Sequence, residues 1–235
     1  MSNRTAGTTR RSGRPIPPRP GTTPAQAPGS RGRIIWIGIA AVILIAAVVA
    51  IAVAASGGDD DGGATADGIE TGGVEAIGDP LPTFVDPVDD PAIGSEAPLV
   101  SAATFDGDRV AIDGESGARI FGFFAHWCPV CQRELPRIVD YLDTTGLPDE
   151  VDLWAVSTGV DPSRGNYPPS AWFAAEGYDL PVLMDSSTGQ LATALGLRNY
   201  PYFVVVNADN EIAFRISGEL TTEQFDQLVE IAQQG

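Results

Sequence analysis

A long apolar run is the feature that most limits what this chain can form. From Ile34 to Ala55 the sequence has 22 residues without a charge or a proline. As an α-helix, this run is long enough to cross the ~30 Å hydrocarbon core of a membrane. A helix packed in a globular core would show a polar face, whereas this run is apolar all round. We therefore predict a single transmembrane helix over residues 34–55.

The charges on either side of this run predict its orientation. Residues 1–33 carry seven arginines and no acidic residue, and all 31 acidic residues follow Ser56. Because positively charged flanks stay in the cytoplasm, we predict a cytoplasmic N-terminus and an extracytoplasmic C-terminal part at the cell membrane. A cleaved signal peptide is the alternative, since "AVAAS" resembles a cleavage site, but the apolar core of a signal peptide is only about 7–15 residues long.

Composition divides the remaining chain into three parts. Residues 1–33 are rich in Arg, Pro and Gly and cannot bury enough apolar surface to fold, so they are predicted to be a disordered cytoplasmic tail. Residues 56–92 are rich in Gly, Asp and Pro, which predicts an extended acidic linker. Residues 93–235 alternate apolar and polar segments, as expected for one globular domain. Three apolar residues of the linker are candidates for docking on that domain: Leu81, Phe84 and Val85.

The pattern of residues 93–235 predicts an α/β fold. Short apolar runs suited to strands alternate with segments of helical periodicity, in the order β-β-β-α-β-α-β-α-β-β-α. Alternation in the middle indicates parallel strands with crossover helices, and the last two strands read as an antiparallel hairpin. The prediction is a mixed β-sheet flanked by helices on both faces. The net charge of -17 excludes a nucleic-acid binder, which needs basic residues against phosphate.

The chain has only two cysteines, Cys128 and Cys131, and its one histidine, His126, lies beside them. A structural zinc site would need four ligands, and no second cluster supplies them. A purely structural disulfide over so short a loop would stabilise the fold by only roughly 2 kcal/mol. The pair follows a buried strand and opens a helix, where free N–H groups and the helix dipole favour a thiolate anion. A redox-active pair is therefore the prediction, with neither a metal nor an organic cofactor.

The segment "WCPVC", followed by Pro136, resembles the active site of the thioredoxin superfamily. The later element "RNYPYFVVVN" resembles the superfamily's proline loop, which implies a cis Tyr200–Pro201 bond beside the cysteines and a Tyr200 backbone that pairs with substrate. The longer motif WCxxCxxExP is similar to that of the membrane-anchored TlpA/ResA/CcmG-like branch. The resemblance covers about residues 93–235 and implies a thioredoxin-like fold, with Trp127 packed beside the site and in contact with substrate.

Three residues near the cysteine pair could affect the protonation of its thiols. Glu134 follows Cys131 by three residues on the same helix face, and a buried carboxylate there could exchange a proton with the Cys131 thiol. The alternative is a glutamate exposed to solvent, without a role in the reaction. Gly122 stands where typical thioredoxins have an aspartate, so that proton acceptor is missing. His126 is expected to be a surface loop residue, and only a charged ring close to Cys128 would stabilise a thiolate.

These features predict a membrane-tethered extracytoplasmic thiol–disulfide oxidoreductase. In it, Cys128 reacts with the substrate, and Cys131 resolves the mixed disulfide that forms on Cys128. The resemblance implies a reductase of the cytochrome c maturation type, fed by a CcdA/DsbD-type membrane electron donor. One alternative is a DsbA-like oxidant that forms disulfides in secreted proteins. Another is a non-enzymatic redox sensor or anchored binding module.

Overall fold

The computed structural model describes residues 68–234. The predicted cytoplasmic tail, the predicted membrane helix and the first part of the predicted linker lie outside these residues. Within the described range, no helix is both long enough and apolar enough to cross a membrane.

Eight strands and four helices make up the described part of the chain. The strands are β1 Val74–Ile77, β2 Leu99–Ala103, β3 Arg109–Ile112, β4 Ala118–Phe124, β5 Val151–Ser157, β6 Val182–Met184, β7 Tyr202–Val206 and β8 Ile212–Ser217. The helices are α1 Cys131–Thr144, α2 Pro169–Ala175, α3 Gln190–Ala194 and α4 Thr222–Gln233. From β2 onward this order is the predicted one, and β1 is an additional strand.

A five-stranded mixed sheet in the order β6-β5-β4-β7-β8 forms the centre of the fold. Strand β4 pairs in parallel with β5 and antiparallel with β7, and the β7–β8 hairpin is antiparallel as predicted. All seven residues of β4 are buried, because a central strand covered on both faces needs apolar side chains in both directions. This burial explains the apolar run "IFGFF" that follows the buried Arg119, and the parallel and antiparallel pairing of β4 confirms the predicted mixed sheet.

Helices cover both faces of this sheet, as predicted. Helices α1, α2 and α4 pack on one face against strand residues such as Ile120 and Phe124. Helix α3 packs on the other face, where Phe121 and Phe123 point. Strands β1, β2 and β3 form a separate antiparallel sheet that contributes to this second core, so the β2–β3 hairpin is not part of the central sheet.

The structure differs from the predicted linker over its second half. Strand β1 pairs with β2, and both Leu81 and Phe84 are buried in the core, while Val85 is 70% exposed. The buried carboxylate of Asp90 forms an ion pair with the equally buried Arg215 of β8. The domain therefore starts before Ile93, because backbone pairing and a buried ion pair hold this Gly/Asp/Pro-rich segment against it.

Candidate active site

The two cysteines lie in the turn that joins β4 to α1. Cys128 is 7% exposed and Cys131 is fully buried, and both are free thiols. The carbonyl oxygen of Cys128 accepts a hydrogen bond from Gln132 N at 3.1 Å, so a helical turn begins at Cys128 although α1 itself starts at Cys131. Cys128 is thus the thiol closer to solvent, and Cys131 lies behind it in the core.

The environment of Cys131 keeps it protonated. Burial raises the pKa of the Cys131 thiol well above its ordinary value, because a thiolate loses its hydration there. A hydrogen bond with the backbone of Ala125 opposes this rise in pKa, whereas the neighbouring Cys128 and, to a smaller extent, the charge of Glu134 add to it. Cys131 can therefore become a nucleophile only if a neighbouring group takes its proton.

Glu134 lies on the buried face of α1, three residues after Cys131, and is 1% exposed. Burial raises the pKa of this carboxyl group to about 7. The rise is opposed by the backbone N–H of Leu220, which donates to Oε2 at 3.0 Å, and by Arg137, whose Nη1 donates to the same oxygen at 3.2 Å. The solvated alternative is thus excluded, and a carboxyl group with this pKa can exchange a proton near neutral pH.

The absence of a carboxylate at Gly122 has a steric reason. A Cβ atom built on this glycine would lie 2.9 Å from Cε2 of Phe124 and 3.2 Å from Cε1 of Phe203. Since both rings are packed in the core, an aspartate at this position would displace them. The buried acid that acts on Cys131 is instead Glu134, which approaches from α1 rather than from β4.

Tyr200 and Pro201 form the opposite wall of the site. Their peptide bond is cis, as the resemblance implies. The carbonyl oxygen of Tyr200 lies 3.9 Å from Sγ of Cys128. Pro201 is buried, and its carbonyl oxygen accepts a hydrogen bond from Gly218 N at 2.9 Å, which fixes this loop to the end of β8.

Two aromatic rings border Cys128. The rings of Trp127 and Tyr200 meet edge to face at a centroid distance of 5.9 Å. The indole N–H of Trp127 donates to the carbonyl oxygen of Gly159 at 2.7 Å. Gly159 has a φ of +58°, and a Cβ atom there would lie 2.7 Å from the Tyr200 hydroxyl, so a side chain at this position would strain the backbone and displace the Tyr200 ring. The site thus depends on a loop that the cysteine motif does not contain.

His126 is not the surface residue that the sequence predicts. It is 1% exposed, because the 158–168 loop folds over it. Its Nδ1 lies 2.7 Å from the carbonyl oxygen of Gly165, and its Nε2 accepts the N–H of Asp161 at 3.2 Å. The ring is therefore the neutral tautomer with the proton on Nδ1. Both nitrogens bind this loop, so neither is left to stabilise a thiolate on Cys128.

Two charged residues near the site carry no sequence signal. The guanidinium group of Arg164, in the 158–168 loop, lies over the Trp127 ring at 4.5 Å. Asp185 is fully buried and accepts hydrogen bonds from Thr158 Oγ1 at 2.7 Å and from three backbone N–H groups that precede or begin α3. Burial raises the pKa of Asp185, and these hydrogen bonds oppose the rise. Only tertiary contacts reveal either residue.

The predicted site residues therefore fall into one compact group. The structure brings together all six of them: Trp127, Cys128, Cys131, Glu134, Tyr200 and Pro201. Among residues 68–234, no three His, Cys, Asp or Glu side chains are arranged to hold a metal ion.

Comparison with known proteins agrees with this geometry. Residues 76–231 match the Redoxin family, a range that again begins before the predicted domain boundary. The chain is 26% identical over 127 residues to sporulation thiol-disulfide oxidoreductase A of Bacillus subtilis. This alignment covers 54% of the chain and 75% of the relative. It is also 26% identical over 136 residues to a thiol:disulfide interchange protein DsbE homolog of Paracoccus denitrificans, covering 57% of this chain and 70% of the relative.

A solved structure shares the fold. It is a thiol:disulfide interchange protein of the thioredoxin family from Chlorobium tepidum, with a TM-score of 0.50 and 24% sequence identity. The similarity covers 59% of this chain and 96% of that protein. The fold of the described domain is therefore thioredoxin-like.

Proposed function

The chain belongs to the Redoxin family, and on that premise we propose that it reduces disulfide bonds of proteins outside the cytoplasm. It is a protein thiol–disulfide oxidoreductase. The observation that carries the reductive direction is the burial of Cys131 beside Glu134, with the only histidine of the chain bound elsewhere.

The difference in exposure assigns the order of the two cysteines. The Cys128 thiolate attacks one sulfur of a substrate disulfide, so that a mixed disulfide forms and the other substrate sulfur leaves as a thiolate. Cys131 Sγ then attacks Cys128 Sγ, which releases the second substrate thiolate and leaves a Cys128–Cys131 disulfide. Two electrons pass to the substrate, and its two sulfurs take up protons. Cys131 is fully buried and meets only this internal disulfide.

Glu134 is proposed to move the proton of the second step. Cys131 is a thiol at neutral pH and must lose its proton as it attacks. The Glu134 carboxyl group, one helical turn further on, has a pKa of about 7 and is ionised in a substantial fraction of molecules. It can accept the proton inside the core, where no solvent reaches the thiol.

Tyr200, Pro201 and Trp127 are proposed to bind the substrate chain. The Tyr200 carbonyl oxygen lies beside Cys128, so an extended substrate segment that pairs with this backbone would bring its own sulfur to Cys128. The Trp127 and Tyr200 rings then flank the segment. The backbone contacts would be the same for many sequences, so this part of the site serves general recognition.

The surroundings of the pair support reduction over oxidation. A strongly oxidising pair has a stabilised reduced form, because its thiolate is favoured. Here burial disfavours a Cys131 thiolate, and Glu134 adds a negative charge beside it. Both ring nitrogens of His126 bind the 158–168 loop, so neither is turned toward Cys128. The reduced pair therefore gains little stabilisation and gives up electrons readily.

The predicted anchor at residues 34–55 completes the proposal. It would tether the domain to the outer side of the cell membrane, where a CcdA/DsbD-type membrane protein could return electrons to the oxidised pair. Substrates of the cytochrome c maturation type, whose haem-binding cysteines must be kept reduced, fit a reductase held at this place. The resemblance in the motif WCxxCxxExP supports this finer assignment.

A single-turnover assay tests the proposed reaction. Pre-reduced full-length chain is mixed with a peptide that contains one disulfide, and the products are separated after acid quenching. The chain is expected to reduce the peptide stoichiometrically, and Cys131→Ala is expected to stop at a mixed disulfide on Cys128. The proposal is wrong if Cys128→Ala reduces the peptide as fast as the natural chain does.

A further inference from the structure

Some arginines of the domain form ion pairs with carboxylates, and others do not. Seven of them lie within residues 68–234. Four form ion pairs with carboxylates: Arg109, Arg133, Arg137 and Arg215. Arg119 is buried and donates to Gly117 O and to the Asn210 side chain. In the described part of the chain, only Arg164 and Arg198 are both exposed and without a carboxylate within 4 Å.

These two free arginines flank the reactive cysteine. The Arg164 guanidinium lies 4.5 Å from the centre of the Trp127 ring, directly before Cys128 in the chain. Arg198 precedes Tyr200 by two residues, so its Cα atom is within about 7.6 Å of that of Tyr200. The Tyr200 carbonyl oxygen in turn lies 3.9 Å from Cys128 Sγ. Arg164 thus lies over the Trp127 side of the site, and the chain position of Arg198 puts its backbone near the Tyr200 side.

Arg164 is held in place for binding. His126 accepts the N–H of Asp161 and donates to the carbonyl oxygen of Gly165, so the buried imidazole fixes the loop on both sides of Arg164. The Trp127 ring beneath the guanidinium is itself held by its hydrogen bond to Gly159. Stacking leaves the N–H groups at the guanidinium edge free for a carboxylate, and a pre-ordered side chain loses less entropy on binding.

Asp161, three residues before Arg164 in the chain, does not form an ion pair with it. Asp161 Oδ1 accepts hydrogen bonds from the N–H and the hydroxyl group of Ser163, at 3.0 and 2.6 Å. The field of Arg164 reaches this carboxylate without forming an ion pair within 4 Å. The donors of the Arg164 guanidinium therefore remain available to a partner.

We propose that Arg164 and Arg198 recognise acidic side chains on either side of the reacting cysteine in the substrate polypeptide. This inference rests on the proposed function and narrows its substrate class to cysteines in acidic segments. The chain carries a net charge of -17, so most of its surface repels such a segment. Two free cations at the mouth would then guide the segment to Cys128 and disfavour other docking orientations.

Three matched peptides test this recognition on the full-length chain. They share one intramolecular disulfide and differ only in the residues beside the cysteines, which are Glu, Gln or Lys. Pre-reduced chain is mixed with each peptide, and the second-order rate constant of reduction is measured at low and high salt. We expect the Glu peptide to react faster than the Gln peptide, by about two- to fivefold for each arginine. High salt should weaken the preference, because the contacts are exposed.

Variants assign the preference to these residues. Arg164→Gln and Arg198→Gln should each lower the Glu-to-Gln rate ratio, and the double variant should bring it close to one. Arg109→Gln is the matched control, since Arg109 is also exposed but lies on β3, 3.6 Å from Glu75. It should keep the full ratio. Because the Glu-to-Gln rate ratio is measured on one and the same variant, a loss of reactivity that affects both peptides equally does not change it.

The outcomes separate this inference from the proposed function. Equal rates with the Glu and Gln peptides, a preference for Lys, or a preference that persists in the double variant would overturn the acidic recognition while leaving the reductase intact. Failure to reduce any of the three peptides would overturn the proposed function, and the inference with it.

Discussion

Replacement of Glu134 by glutamine should change how the stability of the domain depends on pH. The Glu134 carboxyl group has its pKa raised by burial from an ordinary value of 4.5 to about 7. Between these two pH values the folded chain holds a proton that the unfolded chain has lost. The free energy of unfolding therefore falls as pH rises from about 4.5 to 7, and the loss is complete above that range.

The size of this effect follows from the same pKa difference. One unit corresponds to about 1.4 kcal/mol, so a rise from 4.5 to about 7 corresponds to a loss of roughly 3 kcal/mol at pH 8. A glutamine keeps an oxygen that can accept the Leu220 N–H, but it has no proton to lose. Relative to the natural chain, Glu134→Gln should thus gain about 3 kcal/mol of stability between pH 4.5 and pH 8.

Urea unfolding at several pH values measures this difference. The free energy of unfolding is obtained for the natural chain and for Glu134→Gln from pH 4.5 to 8. Glu115→Gln is the matched control, because Glu115 lies exposed in the turn between β3 and β4 and should leave the pH dependence unchanged. A constant difference between Glu134→Gln and the natural chain over this range would refute the raised pKa and, with it, the proton-accepting role.

Two further changes test other parts of the structure. Asp90→Ala leaves the buried Arg215 without its counter-charge and should lower the free energy of unfolding by about 3–5 kcal/mol in urea; a loss below 1 kcal/mol would contradict the docked position of this segment. Gly159→Ala should slow peptide reduction as well as destabilise the fold, because its methyl group meets the Tyr200 hydroxyl. Gly117→Ala is the matched control for Gly159→Ala: at a φ of +73° with open space around it, it should cost only the backbone strain of about 1–2 kcal/mol and keep the reduction rate.

The central sheet and the cysteine turn could be predicted from the sequence because their signals are local. The apolar run of β4, the cysteine pair and the periodicity of α1 follow one another within about 27 residues. The position of Glu134 on a helix face then follows from its spacing to Cys131. The other strands and helices could be predicted from the alternation of short apolar runs with segments of helical periodicity.

The errors involve contacts between distant parts of the chain. Residues 68–92 read as a linker because β1 is short, and because the partner of Asp90, Arg215, lies 125 residues away. His126 is buried by a loop whose Gly165 lies 39 residues further on. No periodicity in the sequence reports such contacts. The role of Arg164 depends on the same loop and was missed for the same reason.

The reduction potential of the Cys128–Cys131 pair tests the central claim most directly. The full-length chain is equilibrated in glutathione buffers, and the fluorescence of Trp127 reports the fraction of disulfide. A pair whose reduced form is poorly stabilised should have a potential near that of thioredoxin, about -270 mV. A value towards that of DsbA, about -120 mV, would contradict the account and identify an oxidant instead.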